Sequence, residues 1–75
     1  MKYMNVILVR KSSDYLKAGN AYKIFLEQNG CAQVWINYKT QVCISLKDHS
    51  FIVCHGITLD EINTLGYVYE EDLED

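Results

Sequence analysis

The chain has 75 residues, of which 49% are hydrophobic and 23% charged. This length allows one domain with a thin core, so it excludes a second domain and disfavours a deep catalytic cleft. No apolar run approaches the roughly 18 residues that a membrane-spanning helix needs, and we expect neither a secretion signal nor a membrane partner.

The charge is divided unevenly along the chain. All seven Lys and Arg residues lie at or before Lys47, where only Asp14 and Glu27 are acidic, so residues 1–47 carry +5. After Lys47 there is no base, and eight acids give −8. A basic body with an acidic end indicates a polarised surface, which restricts the partners that can approach it.

The first half of the chain predicts three strands. The apolar run Met4 to Val9 is typical of a buried strand, and a polar loop follows it. Two alternating runs, 21–28 and 32–38, predict a hairpin that turns at Asn29 and Gly30.

The register of this hairpin can be predicted from the apolar faces. A three-residue loop over 29–31 pairs Ile24 with Ile36 and Leu26 with Val34, which keeps these side chains together on the core face. A two-residue loop would mix apolar and polar faces, because a slip of one residue turns a whole face over. We therefore expect the three-residue loop.

Two more strands are expected after a second turn over 39–41. Val42, Ile44 and Leu46 continue the core face, and the run from Phe51 to Cys54 predicts a last buried strand.

A short helix then replaces the strand pattern. Residues 58–61, Thr-Leu-Asp-Glu, form a capping box, and Gly66 is a stop signal, so the helix covers about 59–65. We expect three of its apolar side chains to pack on the strands: Leu59, Ile62 and Leu65.

The segment Leu16-Lys17-Ala18-Gly19-Asn20-Ala21-Tyr22 resembles the Leu-x-x-Gly-x-x-Tyr segment of Src-homology-3-like small barrels, which occur in short bacterial and phage proteins. The resemblance covers residues 4–54. It implies that Leu16 seals the first loop, Gly19 supplies a turn and Tyr22 begins the second strand pointing inward.

The stretch 45–51 is similar to the short connection before the last strand of such barrels, with Phe51 filling one end. These barrels are mostly binding modules. The first loop here carries Arg10, Lys11 and Lys17 instead of the acidic, tyrosine-rich loop of the proline-peptide-binding branch. The resemblance therefore does not imply binding of Pro-x-x-Pro ligands.

The predicted fold is mainly β. We expect a five-stranded Src-homology-3-like barrel over 1–56, a short helix packed on it over 57–66 and an acidic tail over 67–75, all within one domain.

Phe25 and Trp35 are the first candidate binding residues, since the predicted register pairs them on the more polar face. Exposed, they would form an aromatic platform of the kind found at interface hot spots. Alternatively, bent strands or the C-terminal helix cover them.

The acidic end allows four interpretations. It is a solvated, solubilising end; it folds back on the basic loop; it joins copies head to tail; or it occupies the phosphate-binding groove of another protein. Under the last interpretation the partner-binding residues would be Tyr67, Tyr69, Glu70, Glu71, Asp72, Glu74 and Asp75.

An alternative site is the basic face, whose Lys and Arg side chains could bind single-stranded nucleic acid together with the aromatic residues. The isoelectric point of about 5.2 argues against it, because nucleic-acid-binding domains usually exceed about 9. The residues of this alternative face are Arg10, Lys11, Lys17 and Lys23.

The cysteines predict neither metal binding nor catalysis. Cys31, Cys43 and Cys54 lie 12 and 11 residues apart, without the close pairs of zinc or redox motifs, and indicate free thiols in a reducing compartment. Cys54 and His55 are adjacent, so on a strand they point to opposite faces, and His49 lies on a predicted turn. We expect no cofactor.

These observations predict a cytoplasmic, non-enzymatic protein-interaction module. The most concrete hypothesis is an inhibitor or accessory protein of a phage or mobile element that binds a bacterial protein, one that handles nucleic acid. The alternative is a nucleic-acid-binding barrel regulated by its own acidic tail. Homo-oligomerisation is left open.

Overall fold

The computed structural model describes residues 2–69, so the predicted acidic residues from Glu70 to Asp75 lie outside the described residues. The described residues form six strands and one helix. Their bounds are Met4–Val9 (β1), Asn20–Gln28 (β2), Cys31–Trp35 (β3), Gln41–Ser45 (β4), Phe51–Ile57 (β5), Leu59–Thr64 (α1) and Val68–Tyr69 (β6).

The strands form one sheet in the order β4-β3-β2-β1-β5, with antiparallel neighbours throughout this path. The prediction of a mainly β fold with a short helix is confirmed. The predicted barrel is not closed, because no ladder joins β4 to β5 within residues 2–69. A short strand that we did not predict, β6, pairs in parallel with β2 through Asn20 and Ala21.

Strand β1 is buried on both faces apart from the exposed Asn5, as its apolar run predicts. Ile7 and Val9 point to one side and Met4, Val6 and Leu8 to the other. The first side is the inner cluster, formed by Ile7, Val9, Leu16, Tyr22, Ile24, Ala32, Val34 and Ile44. The second is the outer cluster, formed by Met4, Val6, Leu8, Ala21, Ile57 and Ile62.

The turn between β2 and β3 has two residues, so the predicted three-residue loop is wrong. Gln28 pairs with Cys31, and only Asn29 and Gly30 lie between them. Their φ angles are 55° and 78°. Two consecutive positive φ angles are what the tightest hairpin turns require, and Asn-Gly is the sequence that adopts them most readily.

A β-bulge reconciles this turn with a continuous core. Leu26 pairs with Gln33, whereas Ile24 pairs with Val34, so Phe25 is an extra residue on β2. The predicted pairings of Ile24 with Ile36 and of Leu26 with Val34 are therefore both wrong. Beyond the bulge, Ile24 and Val34 are both buried in the inner cluster, so the core face survives the shorter loop.

Strand β3 ends at Trp35, earlier than predicted. The side-chain oxygen of Asn37 accepts hydrogen bonds from the backbone N–H groups of Lys39 and Thr40, each at 2.8 Å. This local turn replaces ladder pairing, as Asn side chains often do. The second turn therefore begins before residue 39.

The first loop has the local features that the resemblance implies for Leu16, Gly19 and Tyr22. Leu16 is buried in the inner cluster, and Gly19 has a φ of 89°. Tyr22 is buried as β2 begins, and its hydroxyl oxygen accepts a hydrogen bond from the N–H of Lys17 at 3.1 Å.

The helix boundaries confirm the capping prediction. The Thr58 hydroxyl oxygen accepts from the Glu61 N–H at 3.2 Å, and the Glu61 carboxylate accepts from the Thr58 N–H at 2.9 Å. At the other end Gly66 has a φ of 90°, and the Tyr67 N–H donates to the Ile62 carbonyl. This is a Schellman ending.

Only one of the three helix residues predicted to pack on the strands does so fully. Ile62 is completely buried in the outer cluster, whereas Leu59 is 45% and Leu65 57% exposed. A helix of six residues has fewer than two turns, so it presents one side chain squarely to the sheet. No helix within residues 2–69 is long and apolar enough to cross a membrane.

We predict that Ile62→Ala destabilises the protein by about 2–5 kcal/mol, because it leaves a cavity where the helix contacts β1. Leu65→Ala, at the C-cap residue of this helix, is the matched control and should cost less than about 0.5 kcal/mol. Urea unfolding measures both. Equal losses would show that the helix is not anchored through Ile62.

Candidate functional site

The Phe25 and Trp35 rings contact each other, as predicted. Their centroids lie 5.2 Å apart and their planes are tilted by 37°. This offset, tilted arrangement is favourable for two aromatic rings. Phe25 is 40% exposed and Trp35 is half-buried, and neither belongs to the inner or outer cluster.

The bulge turns Leu26 to the face of the sheet that carries Trp35. Its partner Gln33 lies two residues before Trp35 on β3, and alternate residues of a strand share one face. Leu26 is 41% exposed, so its predicted place in the core is wrong. We call Phe25, Leu26 and Trp35 the aromatic platform. The outward position of Leu26 could have been predicted from the Asn-Gly sequence, because Asn-Gly favours two-residue loops.

The helix does not cover this platform. It packs through Ile62 against the outer cluster, which contains none of the platform residues. The alternative of an exposed platform is therefore the one the structure favours.

Tyr67 and Tyr69, two predicted partner-binding residues, pack against the outer cluster. Tyr69 pairs with Ala21, four residues before Phe25 on β2. Tyr69 therefore lies beside β2, the strand that carries Phe25 and Leu26. Neither tyrosine is part of the aromatic platform. The predicted sites from Glu70 to Asp75 lie outside the described residues.

The predicted basic face is divided by the fold. Arg10 and Lys11 line an open groove of about 510 Å³, whereas Lys17 and Lys23 do not. The Arg10 N–H donates to the Ser50 carbonyl at 2.7 Å, which holds the end of β1 against the connection before β5. We call the lining of this cavity the basic groove: Arg10, Lys11, Lys47, Asp48, His49 and Ser50.

Asp48 places a negative charge within this groove. The Ser50 backbone N–H, which donates to its carboxylate at 2.8 Å, lowers the pKa of Asp48, with help from the Ser50 hydroxyl and the charges of His49 and Lys11. A stable carboxylate weakens the attraction of the groove for anions. Sequence analysis did not include His49 in the basic face, because only the fold brings it beside Arg10.

The three cysteines are free thiols at two separate places. Burial and a hydrogen bond with Cys31 raise the pKa of Cys43, and burial alone raises the pKa of Cys54. The neighbour of Cys54, His55, lies 2.6 Å from the Glu27 carboxylate. Within residues 2–69 no three His, Cys, Asp or Glu side chains are grouped as a metal ion would require.

No protein family, characterised protein or solved structure matches the chain. The chemistry of its own surfaces is therefore the basis for a function.

We predict that Asp48→Asn lowers stability at neutral pH and that the loss disappears in acid. The depressed pKa means that the charged carboxylate stabilises the fold above its unfolded-state pKa, and this contribution is lost as pH falls through the folded-state pKa. Thermal unfolding across that range measures the difference. Asp14→Asn, on the exposed first loop, is the control, and a pH-independent loss in Asp48→Asn would contradict the prediction.

Proposed function

We propose that the protein is a non-enzymatic protein-binding module whose contact surface is the aromatic platform. The observation that carries the proposal is the contact between the exposed Phe25 ring and the half-buried Trp35 ring. Aromatic residues at the centre of a patch with a polar rim supply most of the energy in many protein interfaces.

The arrangement of the platform favours binding over chance exposure. Single exposed apolar residues are common on soluble proteins, but contiguous groups are less so. Here the β-bulge turns both Phe25 and Leu26 outward, and Trp35 on the next strand contacts Phe25. Because the backbone holds these side chains in place, little conformational entropy is lost when a partner covers them.

The proposed partner is a bacterial protein with a basic groove, such as one that handles nucleic acid. The chain leaves its described part at Tyr69, which is fixed beside Ala21 by strand pairing. The residues that follow carry five acids: Glu70, Glu71, Asp72, Glu74 and Asp75. Acidic side chains that start near an apolar platform suit a partner surface combining cations with an apolar pocket.

The biological setting belongs to the same proposal. As a small binding module the protein would act in the cytoplasm, as an inhibitor or accessory protein of a phage or mobile element that blocks its partner by occupying it. The first-loop residues Leu16, Gly19 and Tyr22, together with the sheet order, support a Src-homology-3-like fold.

We predict that Phe25→Ala and Trp35→Ala each weaken partner binding by more than about tenfold, because hot-spot truncations cost about 2 kcal/mol or more. The partner is first identified as a protein captured stoichiometrically from nuclease-treated bacterial lysate. Its affinity for each variant is then measured by calorimetry, after circular dichroism has shown that the variants fold.

Ile52→Ala is the matched control, since Ile52 is 41% exposed on β5 and lies outside the platform. Equal affinities of the control and the platform variants would overturn the proposal. Neutralising the five acids should also weaken binding, more at low salt than at high salt.

The second candidate function is nucleic-acid binding regulated by the acidic end, which the basic groove supports through Arg10, Lys11 and Lys47. Asp48 and the acidic isoelectric point weigh against it. The same acid-neutralised variant separates the two functions. Under this candidate it would bind a single-stranded oligonucleotide more tightly than the unaltered chain, with a steep salt dependence.

A further inference from the structure

Two of the three cysteines lie diagonally across neighbouring strands. Cys31 on β3 is opposite Ser45, and Cys43 on β4 is opposite Gln33. Residues two apart on a strand share a face, so the two thiols lie on the same face, which β3 shares with the platform residue Trp35. Cys43 is exposed and Cys31 is half-buried, so small oxidants can reach both.

The spacing of this pair suits a labile bond better than a permanent one. Diagonal neighbours in an antiparallel pair have Cα atoms about 7–8 Å apart, whereas an unstrained disulfide needs less than about 7 Å. The shift is feasible because β4 is an edge strand of the sheet path, paired with β3 alone among the described strands. A strained, accessible disulfide is easily reduced.

We propose that Cys31 and Cys43 are a redox-sensitive modification site that forms a reversible disulfide in the presence of hydrogen peroxide. The sulfur of one cysteine attacks the peroxide, the O–O bond breaks, and a sulfenic acid and one water are formed. The sulfur of the other cysteine then displaces the hydroxyl group, which leaves as a second water. Two thiols are oxidised, and one peroxide, which accepts two electrons, is reduced.

The thiolate is the nucleophile in both steps, and a small oxidant can reach both thiols. The resolving residue is the cysteine of the pair that the peroxide has not oxidised. An external dithiol reverses the reaction by thiol–disulfide exchange.

The new bond would act close to the platform. Gln33 faces Cys43 across the strands and lies two residues before Trp35 on the same face of β3. Drawing β4 toward β3 changes the surroundings of Trp35, the single tryptophan of the chain. Its fluorescence therefore reports the reaction without reference to any partner.

The test uses the full-length reduced chain treated with an equimolar amount of hydrogen peroxide. Intact mass should fall by two hydrogen atoms, and Trp35 emission should change and return on addition of dithiothreitol. After acid quenching and thiol blocking, trypsin separates the cysteines into peptides 24–39, 40–47 and 48–75. The proposal expects a cross-link between the first two peptides.

Cys54→Ser is the matched control and should keep both the mass change and the cross-link. Cys31→Ser and Cys43→Ser should each abolish them. If either variant fails to fold, the peptide map of the unaltered chain still decides. A cross-link to peptide 48–75, a disulfide between two chains, or oxidation of single cysteines without a cross-link would overturn the proposal.

Discussion

The turn between β2 and β3 sets the geometry on which the binding surface depends. Asn29 and Gly30 both adopt positive φ angles, which closes the hairpin with two residues and fixes the pairs next to it. Without a bulge, this register would place Leu26 opposite Gln33, and it would also turn the core-facing side chains in the rest of β2 away from the core. The extra residue at Phe25 corrects the register, so Ile24 stays buried while Phe25 and Leu26 lie outward.

The other elements within residues 2–69 pack elsewhere. Strand β1 holds the inner and outer clusters together. The helix is anchored to the outer cluster by Ile62, and the described residues of β6 pair with Asn20 and Ala21. Against these elements Phe25 and Leu26 stay about 40% exposed and Trp35 stays half-buried.

Local sequence signals predicted the elements that local interactions determine. The apolar run of β1, the capping box at Thr58 and the stop at Gly66 all have their expected places. The contact between Phe25 and Trp35 was also predicted, although from the wrong register. The bulge lets the two-residue turn and the buried face of both strands exist together. The alternation of apolar and polar residues does not by itself predict such a bulge.

The parts of the site that were missed depend on distant pairs. His49 joins Arg10 in the basic groove because β1 and the connection before β5 meet in space. Cys31 and Cys43 become neighbours only through the register of β3 with β4. Spacing along the chain gives no sign of either pair.

The register of β2 with β3 is the central claim, and NMR contacts between backbone protons test it most directly. The account predicts cross-strand contacts between Leu26 and Gln33 and between Ile24 and Val34, with Phe25 lacking a partner of its own. Contacts of Leu26 with Val34 and of Ile24 with Ile36 would show a regular ladder without the bulge. The platform would then lose Leu26, and its structural explanation would be wrong.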